Sequence, residues 1–398
     1  MRVLLFDVIV VGGGPAGAAC AWRLARGGAR VAILQPPLRH EKVCGGCVTR
    51  PAWDELGRPD GLGATPIRHA SFESPRGSVA MDVSAGAFLV DRARMESYLS
   101  ARAEAADVTI LPHWARSVAR SAHGWTVQTS AGALGAAFLV GADGAQSIVR
   151  AATVGPFRPS DLAFGAGVYR PWSDVRPEAC RPSEVRAVLV SRRFLRTLPG
   201  FDRLNGKPWH GYSYVFGGAE RVSLGAWGRG SGVGLAALVR HLLANEWLAR
   251  PGDAPPRIVG RWSPCPGTVG VYDLPTAGQD WVLVGDAAGH INPITGEGIR
   301  MALAGGRMAA EAILAGKPRS WRDRWEAEFG SELRYGVRLI QAIERLGFVR
   351  LWVPRAGGSR FLRRAVEDIA FARVSYRRFF ALGLLRGLAE AAFVRPGS

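Results

Sequence analysis

With 398 residues the chain has room for two domains, and its 48% hydrophobic against 21% charged residues exclude a disordered or low-complexity protein. The net charge of +18 would attract a polyanion, but only three of the 51 basic residues are lysine and the arginines are spread along the chain. Since there is no long basic run and no zinc-finger or RNA-binding signature, we expect no nucleic-acid partner.

The sequence predicts neither a membrane-spanning nor a secretory segment. No window of about 20 uncharged apolar residues occurs, and Asp7 interrupts the first apolar run, unlike in a signal peptide. The cysteines are an odd number scattered over a long chain, which favours reduced thiols over a disulfide scaffold. They are Cys20, Cys44, Cys47, Cys180 and Cys265. We therefore expect a cytoplasmic protein.

The first forty residues predict a β-α-β unit around a glycine-rich turn. The predicted elements are a strand at 7–11, a helix at 18–26 and a strand at 30–34. Gly12 allows the turn, Gly14 lets the backbone approach a pyrophosphate, and Gly17 packs the helix against the strand. The start of the helix then points at the phosphates of a dinucleotide.

Gln35 ends the second predicted strand, where a dinucleotide-binding unit usually carries an acid for the adenosine ribose. An amide can still hydrogen-bond a ribose hydroxyl, but without the strength of a charge-assisted bond. We expect adenosine recognition to be weaker here or shared with other residues.

Two cysteines separated by two glycines follow, in the stretch EKVCGGCVTR at 41–50. Such a pair can be half a zinc site, a redox dithiol, or a turn in which only one sulfur matters. The other cysteines stand alone and the seven histidines form no closely spaced pair, so we expect no metal. The dithiol and the single-thiol interpretations both remain open.

Two later segments place an acid at the end of an apolar strand. LVGADGAQSIVR at 139–150 contains Asp143, and WVLVGDAAGHINPITGEGIRMAL at 281–303 contains Asp286. The second acid can face the hydroxyl groups of a ribityl chain. The turn at 296–299 opens a helix whose free amide groups can face the pyrimidine oxygens of a flavin.

Several phrases together resemble the geranylgeranyl reductase family. They are GGGPAG near the start, KVCGG at 42–46, VDR at 90–92, GADG at 141–144 and GDAAGxxNPxTGEGI at 285–299. The family belongs to the FAD-dependent class that also holds p-hydroxybenzoate hydroxylase and the flavin halogenases. The NPITGEGI form is the most specific of these phrases, and the resemblance covers nearly the whole chain.

The resemblance implies an α/β fold. It has a Rossmann-like FAD-binding domain (1–160 and 266–318), an inserted antiparallel-sheet substrate domain (161–265) and a C-terminal helical region (319–398). It also implies which residues contact FAD. The pyrophosphate residues are Gly12, Gly14, Pro15, Ala16 and Gly17; Gln35 binds the adenosine ribose; Cys44, Gly45 and Gly46 pass close to the flavin; Arg92, Asp143 and Asp286 hold other parts; Gly296, Gly298 and Ile299 hold the isoalloxazine. Cys44 is the candidate catalytic thiol.

The family lines its substrate cavity with an aromatic strand, and GYSYVFGG at 211–218 is its counterpart here. Tyr212, Tyr214 and Phe216 match, but Tyr214 replaces a tryptophan and Trp227 replaces a later glycine. Alternation places the three aromatic residues on one face of a strand, which suits a core face as well as a cavity wall.

The C-terminal third reads as helical, with a helix pair from 319 onward. Residues 350–398 carry ten arginines against three acids, a net charge of +7. A basic amphipathic helix can lie on an anionic membrane, whereas a helical cap with solvated arginines is the alternative.

Three chemistries share this scaffold: reduction, hydroxylation and halogenation. The resemblance implies reduction of double bonds in a prenyl chain by hydride transfer from FADH2, with NAD(P)H or ferredoxin as external electron donor. The alternatives are an aromatic monooxygenase and a non-catalytic flavin-binding protein. A halogenase is not expected, because the stretch 53–95, where such enzymes carry their lysine, contains none. We expect an apolar small-molecule or lipid substrate and a redox partner.

Overall fold

The computed structural model describes most of the chain. The described residues are 4–36, 41–42, 44–74, 77–84, 86–189, 210–229, 232–249, 256–266, 269–346, 353, 355–371, 373 and 375–379. Val43 of the KVCGG phrase and residues 380–398 of the basic C-terminal region lie outside this part. All other predicted site residues lie within it.

The strands form two large sheets and one small one. In chain order they are β1 (Leu4–Val11), β2 (Val31–Leu34), β3 (Cys47–Val48), β4 (Thr65–Pro66), β5 (His69–Ser74), β6 (Gly77–Asp82), β7 (Phe88–Leu89), β8 (Thr109–Leu111), β9 (Ala115–Ser121), β10 (Gly124–Thr129), β11 (Gly132–Gly141), β12 (Leu162–Pro171), β13 (Glu184–Leu189), β14 (His210–Gly217), β15 (Arg221–Arg229), β16 (Val259–Pro264) and β17 (Trp281–Leu283).

The helices follow the same order. They are α1 (Pro15–Arg26), α2 (Arg50–Leu56), α3 (Arg92–Glu104), α4 (Ile148–Thr153), α5 (Gly232–Leu242), α6 (Ile299–Leu314), α7 (Ser320–Trp325), α8 (Ser331–Leu346), α9 (Arg360–Ala370) and the single turn α10 (Tyr376–Arg378).

The first sheet has the strand order β8-β2-β1-β11-β10-β9, with β17 paired to β11. Strands β8, β2, β1, β11 and β17 are parallel, whereas β10 and β9 form an antiparallel extension. The predicted β-α-β unit is present, and α1 begins at Pro15, because proline suits the first helical turn. This sheet brings the ends of β1, β2, β11 and β17 to one edge.

Helices α1 and α6 pack tightly on one another against this sheet. Gly306 of α6 faces Ala16 of α1 so closely that a methyl group at position 306 would overlap the Ala16 carbonyl oxygen. Buried Ala304, Ala309 and Met308 continue the contact. Small residues therefore let α6 reach the glycine-rich turn.

The second sheet has the order β16-β12-β15-β14-β13-β5-β6. It is antiparallel except for the parallel pair β13–β5. Strands β5 and β6 come from residues 69–82, which the sequence division assigned to the FAD-binding domain. The backbone hydrogen bonds between β5 and β13 instead place them in the sheet of the predicted substrate domain.

The C-terminal region is helical, but the expected helix pair is a single run. Residues 326–330 form a π-helical turn between α7 and α8, and both Glu326 and Ser331 keep right-handed helical dihedral angles. A π-turn widens a helix by one residue without breaking it. Helices α9 and α10 then return towards α8. The Tyr376 backbone N–H of α10 donates to the Glu332 carboxylate of α8 at 2.7 Å.

Candidate active site

A cavity of about 480 Å³ lies at the strand-end edge of the first sheet and reaches the second sheet. Most of the residues predicted to bind FAD or substrate line it. They are Gly12, Gly14, Pro15, Ala16, Gln35, Cys44, Gly45, Arg92, Asp143, Tyr212, Tyr214, Asp286, Gly296, Gly298 and Ile299.

Three predicted residues do not line this cavity. Gly17 is buried between α1 and β1, where any side chain would overlap the Gly12 carbonyl oxygen. Gly46 has φ +73 and lies against the Val90 carbonyl. The ring of Phe216 packs over Gly45 on the side away from the cavity, because it joins a separate core cluster.

The glycine-rich turn fits a pyrophosphate. Gly12 has φ +102, a left-handed conformation that other residues rarely adopt. Gly14 is the N-cap of α1 without any side-chain cap, so the first amide groups of the helix are open to a ligand. A methyl group added at Gly14 would meet no protein atom within 4 Å, so the space in front of this residue is open.

Gln35 follows β2 at the same edge of the sheet. Its backbone N–H donates to the Leu111 carbonyl at 3.0 Å, and its side-chain amide lies over Gly13. The residue lines the cavity next to the glycine-rich turn, where a dinucleotide presents its adenosine half.

The Cys44 turn is held by two strands of the second sheet. Tyr169 of β12 and Ser223 of β15 each donate a side-chain hydroxyl to the Cys44 carbonyl at 2.9 Å. The Cys44 Sγ accepts the Gly46 backbone N–H at 3.3 Å. The thiol is therefore fixed at the junction of the two sheets, on the cavity wall.

Arg92 is buried rather than spread over the surface. It opens α3, its side chain is 5% exposed, and its Nε donates to Glu96 at 2.8 Å. Burial lowers the pKa of the guanidinium, but the charge of Glu96 and its hydrogen bond to Arg92 outweigh burial and hold the pKa above its usual value. Arg92 thus stays charged on the cavity wall, paired with Glu96, which lines the same cavity.

Asp143 closes the loop after β11. One carboxylate oxygen accepts the Ile148 backbone N–H at 2.8 Å, and the other is buried without a partner in the described part of the chain. Burial raises the pKa of Asp143. An unsatisfied acceptor at the cavity wall fits a site that a polar ligand completes.

Lys42 also lines the cavity, which the sequence interpretation did not foresee. Its Nζ forms an ion pair with the Asp286 carboxylate at 3.0 Å, and 244 residues separate the two in sequence. The other oxygen of Asp286 lies beside Gly298, at the start of α6. The ammonium group is therefore engaged at the predicted flavin loop.

The second sheet covers this loop with aromatic rings. Tyr212 donates to the Thr295 carbonyl at 2.8 Å, and Trp227 packs against Gly296. The Tyr212 ring lies 6.1 Å from Tyr214 and 5.8 Å from Trp227, so all three share one face. Burial raises the pKa of both tyrosines well above the usual value, which keeps their hydroxyls protonated.

The C-terminal region also contacts this loop, through Tyr376. The buried Asn292 donates its side-chain amide to the Tyr376 hydroxyl at 2.8 Å and accepts backbone N–H groups of Ile294 and Thr295. Glu297 is half-buried in the loop, and desolvation raises the pKa of its carboxyl. No sequence signal linked residue 376 to this loop, because the pairing depends on the tertiary fold.

Within the described ranges, no group of histidine, cysteine and acidic residues has the arrangement of a metal site. In the same part of the chain, the helices are too short or too polar to cross a bilayer.

Comparisons with known proteins find similar sequences. A family model described as pyridine nucleotide-disulphide oxidoreductase matches residues 6–106, the part that contains the glycine-rich turn. Digeranylgeranylglycerophospholipid reductase 2 of Methanopyrus kandleri is 30% identical over 84% of this chain and 85% of its own. Geranylgeranyl diphosphate reductase of Rhodobacter capsulatus is 30% identical over 79% of this chain and 77% of its own.

A solved structure shares the fold. It is a geranylgeranyl bacteriochlorophyll reductase-like protein from Thermoplasma acidophilum, with a TM-score of 0.71 and 18% identity over 90% of this chain and 93% of that one. The expected α/β architecture is thereby confirmed.

Proposed function

Because the chain belongs to the geranylgeranyl reductase family of FAD-dependent oxidoreductases, we propose that it reduces carbon–carbon double bonds in a prenyl chain. The substrate is a lipid, quinone or other isoprenoid. The names of the two relatives differ in the polar part of the molecule and agree on the geranylgeranyl chain, so the proposal concerns the chain and not the head group.

The observation that carries the proposal is that one cavity has a cofactor-binding wall on one side and an aromatic wall on the other. One wall is the open start of α1 with the loop at 296–299, which suits the phosphates and ring of FAD. The other wall is aromatic and includes Tyr212, Tyr214 and Trp227. When bound, reduced FAD supplies the hydride for the double bond. The aromatic wall holds an apolar chain and excludes water.

Cys44 is the proposed catalytic residue, because it is the one cysteine of the five that lines the cavity. Reduction of an isolated double bond needs a proton as well as a hydride. The Cys44 Sγ–H is the proposed source of that proton, and Tyr169 and Ser223 position it through the Cys44 carbonyl.

The external electron donor is proposed to be NAD(P)H or ferredoxin. The sequence carries no second glycine-rich turn followed by a helix, as a separate nicotinamide domain would need. Electrons therefore reach the flavin from a molecule that binds transiently.

Two alternatives differ in measurable products. An aromatic monooxygenase would add one oxygen atom to its substrate, and a non-catalytic flavin-binding protein would bind FAD without being reduced by any donor. Halogenation is not supported, since the lysine at the cavity is paired with Asp286.

Mass spectrometry after anaerobic turnover tests the proposal. The FAD-loaded protein is reduced with dithionite and mixed with geranylgeranyl diphosphate, geranylgeranyl glycerophospholipid or menaquinone. We expect at least one substrate to gain about 2 Da for each bond reduced without oxygen. A gain of about 16 Da that requires oxygen would contradict the reductase activity and indicate a monooxygenase. Unchanged masses with all three prenyl compounds would contradict the proposal.

A further inference from the structure

Trp114 is unusually exposed for a residue on a cavity wall. Its relative exposure is 51%, the highest among the large hydrophobic side chains of the described residues. A single exposed hydrophobic side chain is ordinary on an open surface, but this ring lines a cavity, where aromatic side chains contact ligands. Within the described part of the chain its indole stacks on no aromatic ring or guanidinium, so no other π-system or cation occupies the ring.

The fold places Trp114 at the adenosine end of the cavity. Strand β8 runs parallel to β2, and the residue after β2, Gln35, donates its backbone N–H to Leu111 at the end of β8. Trp114 follows three residues later and lines the same cavity as Gln35 and Gly13. It therefore lies on the side of the glycine-rich turn opposite the flavin loop at 296–299.

The backbone of Trp114 is fixed although the ring is exposed. Its N–H donates to Ser130 Oγ at 3.3 Å, and the Ser130 N–H donates back to the Trp114 carbonyl at 3.0 Å. These two bonds tie the residue to the turn between β10 and β11. A ring on an anchored backbone loses little freedom when a flat ligand stacks on it.

We propose that Trp114 is the stacking platform for the adenine ring of FAD. This inference rests on the FAD binding in the proposed function. Gln35 lacks the negative charge that would bind the ribose hydroxyls most strongly, so the adenosine half needs another contact. Stacking on an indole supplies it without reading the identity of the base, since every base has a π-face.

The test compares FAD with FMN, which lacks the adenosine. Calorimetric titration of the cofactor-free full chain gives both dissociation constants without any substrate. We expect Trp114→Ala to weaken FAD between about 5- and 100-fold and to leave FMN unchanged, and Trp114→Phe to retain most of the FAD affinity. Trp262→Ala is the matched control. Its half-buried ring contacts Phe164 on the second sheet and does not line the cavity, so both affinities should stay unchanged.

Two results would overturn the inference. One is an unchanged FAD affinity in Trp114→Ala. The other is an equal loss for FAD and FMN, which would mean a general distortion of the site. A wild-type protein that binds FAD more tightly than FMN but reduces no prenyl compound would contradict the proposed reaction. It would not contradict the stacking of adenine on Trp114.

Discussion

At the scale of single residues, Cys44 and Cys47 differ although only two glycines separate them. Cys44 lines the cavity and its Sγ accepts an amide N–H. Cys47 belongs to the short strand β3, pairs with Leu89, and burial raises the pKa of its thiol to about 12. A thiol with that pKa is inert at neutral pH. The turn between them leads into a strand, whereas a redox dithiol usually opens a helix.

We expect Cys44→Ala to lower the turnover of a prenyl substrate by about a hundredfold or more, because a positioned proton donor contributes at least that much. FAD should remain bound, as shown by the visible absorption spectrum. Cys47→Ala is the matched control and should leave turnover nearly intact. Equal losses from both changes would revive the dithiol interpretation.

At the scale of elements, two glycines of the first turn have different roles: one leaves space for the cofactor and the other allows α1 to pack on β1. Gly14 faces open space and has φ −68, which alanine adopts without strain. Gly17 has no room for a side chain, because α1 and β1 meet there. The same substitution at the two positions should therefore have different effects.

Gly14→Ala should leave the stability of the cofactor-free protein within about 0.5 kcal/mol and lower FAD affinity at least about tenfold, because the methyl group occupies space that the pyrophosphate needs. Gly17→Ala should destabilise the cofactor-free protein by about 1–3 kcal/mol. Urea unfolding and FAD titration measure the two effects. A stable Gly17→Ala protein, or full FAD affinity in Gly14→Ala, would contradict this division of roles.

The sequence was sufficient for elements defined by local patterns. The β-α-β unit follows from the alternation of apolar residues and from glycines within six positions of one another. The pairing of Lys42 with Asp286, the place of β5 and β6 in the second sheet, and the contact of Asn292 with Tyr376 could not be predicted. Each joins residues far apart in sequence, and a single chain carries no local signal for such a contact.

At the scale of the whole molecule, helix α9 of the C-terminal region turns three arginines outward. Arg360, Arg363 and Arg364 are exposed on α9. The acids of the same helix, Glu367 and Asp368, are 7% and 9% exposed and pair with arginines. Exposed arginines on α9 fit both the membrane contact and the helical cap with solvated arginines, and Arg364 is already paired with Asp368. A vesicle-binding measurement separates the two interpretations.

We expect the triple change Arg360→Gln, Arg363→Gln and Arg364→Gln to weaken binding to vesicles of anionic phosphatidylglycerol on the order of a hundredfold, at about 1 kcal/mol for each arginine. Co-sedimentation with these vesicles measures it. Arg116→Gln, Arg120→Gln and Arg158→Gln remove the same charge from exposed positions elsewhere. An equal loss in this control would mean that net charge, and not the face of α9, governs binding.

The parallel pairing of β5 with β13 also constrains the order of folding. During synthesis the β5–β6 hairpin leaves the ribosome at residues 69–82, long before its neighbour at residues 184–189. Until then one edge of β5 has no partner, and an open strand edge can pair with other chains. Residues 161–265 expressed alone would lack two strands of the second sheet, β5 and β6. The second sheet is therefore completed late, by a contact between residues far apart in sequence.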